Sequence, residues 1–125
     1  MLEIDRAYVA IALLLWAVVG MLLGLYMGIA ADQKLLTVHV AMMLSGFVTL
    51  ALYGLLYRMW PAMKRSPLAL AQFWISAVGT AGLIIGSYFL VTSGSVALAA
   101  IGSIAMIIGA ALMGWLFIAQ SREAM

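Results

Sequence analysis

His39 is the only histidine in the chain, and of all its side chains it is the best suited to bind a metal. An ionisable residue inside an apolar segment indicates a functional site, because burying it costs free energy. At about 100° per residue, its helical face also carries Met43, Gly46, Tyr53 and Tyr57. Neutral imidazole is a common ligand of haem iron, and a glycine below it leaves room for a flat macrocycle. The face therefore predicts either a haem site or a histidine that is hydrogen-bonded across helices or to interfacial water.

Other kinds of chemistry lack the side chains that they need. A hydrolytic triad or a zinc site requires several converging His, Asp or Glu residues. The four acids all lie at the edges of apolar segments: Glu3, Asp5, Asp32 and Glu123. Cysteine is absent, which excludes thiolate sites, and the ten methionines are mostly scattered, as gap-filling core residues are. We therefore expect no catalytic residues and no metal ligand other than His39.

The composition places these residues in a membrane. Of the 125 residues, 68% are hydrophobic and 8% are charged, and the mean hydropathy is +1.23. A soluble domain of this size requires far more charge on its surface. The sequence therefore predicts an all-α, four-helix transmembrane bundle, forming one domain with no nucleic-acid partner. Its apolar runs, each reaching the required length of about 20 residues, are Ala7–Ala30, Leu35–Trp60, Leu68–Thr92 and Ser95–Ala119.

The loops between the runs determine the orientation of the bundle. They are short enough to make sequential helices antiparallel neighbours, so the N-terminus, the second loop and the C-terminus share one side. The other side carries only one basic residue, Lys34. The positive-inside rule then predicts that both termini are cytoplasmic, as expected for a protein of the bacterial inner membrane. The basic residues on the predicted cytoplasmic side are Arg6, Arg58, Lys64, Arg65 and Arg122.

Glycines recur within the runs at spacings that favour close packing. Helix association in lipid depends on close backbone contact, which small residues permit. We interpret most of these glycines as packing residues within the bundle, although the groove on the first helix could instead face a second protomer. They are Gly20, Gly24 and Gly28 in the first run, Gly79, Gly82 and Gly86 in the third, and Gly102, Gly109 and Gly114 in the fourth.

The segment from His39 to Gly86 reads HVAMMLSGFVTLALYGLLYRMWPAMKRSPLALAQFWISAVGTAGLIIG. It resembles the catalytic subunit (subunit I) of heme-copper oxidases, and more closely the small four-helix proteins related to that subunit. In the family, one helix bears His-x-His, a Gly and a Gly-x-x-Tyr stretch ending in Pro, and the next opens with Phe-Trp followed by Gly. The matching positions are His39, Gly46, Gly54, Tyr57, Pro61, Phe73, Trp74 and Gly79.

The resemblance implies a haem-binding role without oxygen reduction. His39 matches the first histidine of the family's pair, a haem-iron ligand, whereas the second histidine is replaced by Ala41. The family's copper ligands lie on a helix that this chain lacks, so oxidase activity is not expected. The family's large subunit consists of three arcs of four helices. A chain with one arc therefore implies a homo-oligomer, with three copies favoured.

The leading hypothesis is a haem-b-binding membrane protein of heme-copper oxidase ancestry, acting in electron transfer with a redox partner or in gas sensing. Its cofactor site would comprise His39 as the iron ligand, Gly46 beneath the ring, Lys34 at the propionates and Met43 as a nearby methionine. The alternative is a haem-free structural or assembly subunit of a membrane complex, which the loss of the second histidine favours. A small multidrug-type transporter is disfavoured, because its mechanism requires a membrane-buried carboxylate and no apolar run contains one.

Overall fold

The computed structural model describes residues 3–124, with side chains described as far as residue 119. These residues form four long helices, which we number α1 (Ile4–Ala30), α2 (Leu36–Met59), α3 (Ala69–Ser93) and α4 (Ala97–Ala124). All four are long enough and apolar enough to cross a membrane. The structure confirms the predicted all-α, four-helix fold and indicates an integral membrane protein.

Short turns connect the helices, and two of them use left-handed backbone. Ala31 ends α1 with φ 53°, and its N–H donates to the Gly28 carbonyl at 3.3 Å. Gly94 ends α3 with φ 77°, a conformation that glycine adopts without steric cost. Between α2 and α3 lies a short 3-10 helix, Pro61–Arg65. Pro61 occupies the first position of this helix, where proline is favoured because its missing N–H costs nothing.

The helix boundaries differ from the predicted ones by a few residues. The difference that matters is at α1, which begins at Ile4 instead of Ala7. The earlier start places Asp5 inside the first turn of the helix, where it is buried. A carboxylate at this position is favoured by the partial positive charge of the helix N-terminus.

The bundle consists of two antiparallel helix pairs joined through α3. One pair is α1 with α2, and the other is α3 with α4. α3 also contacts both α1 and α2. α4 packs on α3 and on the 3-10 helix, and the rings of Trp60 and Phe117 meet there edge to face, with their centroids 5.0 Å apart.

Glycines bring α3 and α4 into close contact. A Cβ added at Gly79 would lie 2.8 Å from the Cβ of Ala105. Gly86 and Gly102 each face backbone atoms of the opposite helix, so any side chain there would force the helices apart. This seam confirms the predicted packing role of these glycines.

The glycine groove of α1 faces α2 over most of its length. A Cβ at Gly20 would lie 2.7 Å from the sulfur of Met43, and one at Gly24 would lie 2.8 Å from the imidazole Cε1 of His39. Gly28, by contrast, has open space around it. Gly20 and Gly24 therefore serve the bundle itself, and they are not available to a second protomer.

Candidate functional site

The predicted polar face of α2 exists, and α1 covers it. Gly46 shows this most directly, because a Cβ added there would lie 2.6 Å from the Cβ of Trp16. Further along, the ring of Tyr8 on α1 lies between 5 and 6 Å, centroid to centroid, from two tyrosine rings of this face. The residues of the face that pack against α1 are His39, Met43, Gly46, Tyr53 and Tyr57.

Trp16 packs into the interface between α1 and α2, which we call the α1–α2 seam, at a level where both helices have wider, π-helical turns. α1 is π-helical over Ile11–Ala17 and α2 is π-helical over Met42–Thr49, and the two stretches contact each other. The hydroxyl of Thr49 donates to the carbonyl of Leu44, five residues earlier, at 2.8 Å. Widened turns of this kind often lie at functional sites. Here they coincide with the insertion of a buried indole.

His39 makes a hydrogen bond across the two helices. Its Nδ1 lies 2.9 Å from the carbonyl oxygen of Gly20, and its ring lies over Gly24. Because a carbonyl can only accept, Nδ1 must carry the proton and donate it. In the neutral imidazole the lone pair is then on Nε2, for which no hydrogen bond is found among the described residues. The structure thus places His39 in the cross-helix bond that the sequence analysis gave as the alternative to a haem site.

The other predicted cofactor residues do not surround an open space. Gly46 lies under Trp16, which occupies the volume predicted for a porphyrin. The sulfur of Met43 packs against Gly20. Lys34 is exposed in the loop before α2, and its backbone N–H donates to Asp32 Oδ1 at 2.9 Å. Trp16 therefore fills the space over Gly46 in this structure, and haem binding by His39, Gly46, Lys34 and Met43 stays a prediction.

A buried glutamine, which the sequence analysis missed, connects all four helices. The amide of Gln72 on α3 is 0% exposed, and its Oε1 accepts from the hydroxyls of Tyr8 at 2.6 Å and Tyr57 at 2.9 Å. Its Nε2 donates to Ser76 Oγ at 3.0 Å and to the carbonyl of Gly109 on α4 at 3.1 Å. All four hydrogen-bonding positions of the amide are used.

This network holds the two helix pairs together at one level. Polar side chains inside membrane bundles commonly act as such cross-links. Aromatic packing supports it, since the ring of Phe73 lies edge to face on Tyr8 at 4.9 Å. The sequence carried one usable signal, a glutamine within an otherwise apolar run. The signal gave the position of Gln72 but not its partners, most of which come from the three other helices.

A buried carboxylate lies at the end of the bundle that holds Arg6, Arg58 and Lys64, which we call the basic end. Asp5 is 1% exposed, with Oδ2 at 3.3 Å from the Arg58 guanidinium and Oδ1 at 3.4 Å from the Lys64 ammonium. Two cations thus surround one anion. The ion pairs stabilise the burial of Asp5 and leave an excess of positive charge at this end.

Asp5 corrects one premise of the sequence analysis. The transporter hypothesis was disfavoured because no apolar run contained a carboxylate, but α1 does contain one. The hypothesis gains little from it, because Asp5 lies at the end of the helix and is already paired with two cations. Within the part of the chain that the structure describes, no group of three or more His, Cys, Asp or Glu residues is placed to hold a metal ion.

Comparisons with known proteins give no match. Neither a family model, nor a curated protein, nor a solved structure is similar to the chain. No family is shown. The resemblance to heme-copper oxidases rests on the matching positions in the sequence alone, so the function must be argued from the geometry of the bundle.

Proposed function

We propose that this chain is a haem-free structural subunit of a membrane complex. The observation that carries the proposal is the closed seam between α1 and α2, in which Trp16 fills the space over Gly46 and His39 bonds to Gly20. A cofactor or transport site in a membrane needs polar groups that face a cavity, a cofactor or water. In this bundle the polar groups bond to one another. Among the described residues, every buried side-chain nitrogen and oxygen has a hydrogen-bond partner.

A bundle with a closed interior acts through its surface. Large apolar side chains are exposed on all four helices, as lipid and neighbouring membrane helices require. The proposed role is therefore to present a rigid apolar surface to partners, with the Gln72 network and the Asp5 ion pairs keeping the four helices in register.

We place the bundle in a bacterial inner membrane with both termini on the cytoplasmic side. The support is the distribution of basic residues, since Arg6, Arg58, Lys64 and Arg65 belong to one side and Lys34 to the other. Basic residues are retained on the cytoplasmic side during insertion, which favours this orientation.

The proposed complex is a homotrimer. Its support is the resemblance to a body of three four-helix arcs, because Gly20 and Gly24 already serve the internal seam and give no argument for an interface between copies. Native mass spectrometry in mild detergent should give three copies of the chain, and crosslinking in intact membranes should give the same number. A clean monomer that resists crosslinking would contradict the trimer.

A second candidate function, haem binding through His39, is favoured by one specific observation. Histidines that ligate a metal usually donate their other ring N–H to a carbonyl or a carboxylate, which fixes the tautomer. The bond from Nδ1 of His39 to the Gly20 carbonyl has this form and leaves the Nε2 lone pair free to bind iron. A bound haem would supply electron transfer or gas binding. The ring could not lie over Gly46 while Trp16 is there.

A visible absorption spectrum distinguishes the two functions. The protein should be expressed with ample haem, purified in mild detergent, and measured oxidised and reduced. A haem-free subunit gives no Soret band and the same unfolding temperature with or without haem supply. A stoichiometric Soret band that disappears in His39→Ala would overturn the structural proposal in favour of the second candidate.

A further inference from the structure

A groove runs along the outside of α1 and α2 at the basic end. It has a volume of about 490 Å³ and lies on the surface of the bundle, where Leu13 and Leu55 are exposed. Its apolar walls come from both helices, and its charged lining consists of two arginines and the ion-paired Asp5. The residues that matter here are Arg6, Val9, Ala10, Leu13, Leu55 and Arg58.

The groove follows from the close approach of the two helices. A Cβ added at Gly54 on α2 would lie 2.7 Å from a methyl group of Val9 and 3.1 Å from the carbonyl oxygen of Asp5. This contact forms the floor. Exposed leucines on either side, Leu13 and Leu55, stand above it as walls. The result is a narrow apolar trough of the kind that a hydrocarbon chain fills.

The charges at the end of the groove favour an anion. Asp5 is shared between Arg58 and Lys64, at 3.3 and 3.4 Å, so one of these two cations is in excess. Arg6 has only a loose, exposed pairing with Glu3 at 3.9 Å. The side chain of Arg58 is 69% exposed despite its ion pair, so it is accessible to a ligand. Planar guanidinium groups are well matched to phosphate oxygens.

The depth of these groups in the membrane matches the structure of a lipid. Arg6 lies in the first turn of α1, and Arg58 lies in the last turn of α2, so both are at the level of the headgroups. Leu13 is seven residues further along α1, which is about 10 Å deeper at 1.5 Å per residue. The groove therefore runs from a cationic end at the interface into the hydrocarbon.

We propose that this groove binds an anionic glycerophospholipid, with its phosphate on Arg6 and Arg58 and one acyl chain along Val9, Ala10 and Leu13. Basic pockets between transmembrane helices bind anionic headgroups in this way. The proposal does not depend on whether the chain is a structural subunit or a haem protein. A helix of a second copy is the competing occupant, and the experiment separates the two.

Native mass spectrometry of the whole protein in mild detergent measures the lipid directly. Phosphatidylglycerol and phosphatidylcholine with the same acyl chains are added separately, and retained lipid is counted. Wild type should retain phosphatidylglycerol at least tenfold more strongly than phosphatidylcholine. Arg6→Gln should weaken retention about fivefold, and Arg6→Gln with Arg58→Gln about twenty-five-fold, since each cation near a lipid surface contributes about a factor of five. Glycerol phosphate without acyl chains should not compete at millimolar concentration.

Two matched controls test the position of the site. Arg65→Gln removes an exposed charge at the same end but outside the groove, and it should leave retention unchanged. Ala10→Trp fills the groove without changing any charge and should abolish retention, whereas Ala111→Trp on the exposed surface of α4 should not. If the double variant does not fold, Arg6→Gln and Ala10→Trp still decide the result.

Three outcomes would overturn the proposal. One is equal retention of phosphatidylcholine, which would make the binding nonspecific. Another is an Arg65→Gln variant as weak as Arg6→Gln, which would show general surface charge instead of a site. The third is an Ala10→Trp variant that loses its oligomeric state with lipid retention unchanged, which would assign the groove to a neighbouring helix.

Discussion

Two polar side chains, His39 and Gln72, link helices inside the bundle by hydrogen bonds, and they differ in the number of bonds that they make. His39 makes one cross-helix hydrogen bond, to the carbonyl of Gly20. Gln72 makes three, one to each of the other three helices, and a fourth bond to Ser76 on its own helix. Hydrogen bonds between membrane helices contribute only about 0.6 kcal/mol on average, because alternative partners exist in the unfolded state. We therefore expect Gln72 to matter more for stability than His39.

Replacing His39 separates a packing role from a ligand role. His39→Ala should lower the free energy of unfolding by about 0.6 to 1.7 kcal/mol through loss of the bond to Gly20. In His39→Asn the amide nitrogen can take the place of Nδ1, so this variant should recover most of the loss. Denaturation in detergent mixtures measures both. Asn does not replace imidazole as a haem ligand, so a Soret band present in wild type and absent in both variants would contradict a role limited to packing.

Replacing Gln72 should have the larger effect. Gln72→Leu removes the Oε1 acceptor of the Tyr8 and Tyr57 hydroxyls and leaves Tyr8 only its longer bond, at 3.3 Å, to the main-chain carbonyl of residue 72. We expect a loss of about 2 kcal/mol in the free energy of unfolding. Converting both tyrosines to Phe in the same chain should restore part of it, because paired removal of polar groups costs less than orphaning one. The matched control is Gln33→Leu in the exposed loop, which should change stability by less than about 0.5 kcal/mol. Additive losses in the triple variant would show that these residues do not form one network.

At the scale of the helices, the α1–α2 seam depends on a large side chain meeting a glycine. Gly46→Leu should force Trp16 out of the seam and destabilise the bundle by about 1 to 3 kcal/mol, the usual cost of overpacking. Gly28→Leu, at an open position on α1, is the control and should be nearly neutral. Adding Trp16→Ala to Gly46→Leu should recover stability, as judged by the unfolding temperature in detergent. If Gly46→Leu is neutral by itself, the two helices are not in contact there.

The seam also shows what the sequence could and could not predict. Helical periodicity correctly placed His39, Met43 and Gly46 on one face, because that property is local to α2. It could not identify what covers the face, since Trp16 lies on another helix and its approach depends on the widened turns of both. The prediction of a porphyrin at Gly46 assumed open space there, whereas in this structure Trp16 fills it. Hydropathy correctly predicted all four helices, because the hydropathy of a segment depends only on the residues within it.

At the scale of the whole molecule, the distribution of charge predicts how the bundle sits in the membrane. Cysteine is absent from the chain, so single cysteines can report the side on which each loop lies. Arg65→Cys should be shielded from a membrane-impermeant thiol reagent in intact cells, and Gln33→Cys should react with it. Permeabilised cells, in which both should react, provide the control. The reverse pattern in intact cells would contradict cytoplasmic termini.

The ion pairs of Asp5 also impose an order in time on the biosynthesis of the chain. Its two cations lie 53 and 59 residues further along the sequence, so neither has been synthesised when Asp5 itself first leaves the ribosome. Until Arg58 and Lys64 have been made, no cation offsets the cost of desolvating the Asp5 carboxylate. The start of α1 should therefore stay at the membrane surface. A nascent chain stalled before Arg58 emerges should therefore leave an Ile4→Cys thiol, with Asp5 intact, open to labelling from the side of the N-terminus, and one stalled after α3 should protect it because Ile4 is buried in the complete bundle. On this view α1 is anchored by residues synthesised after it, and its final depth is reached only once the second helix has turned back across the membrane.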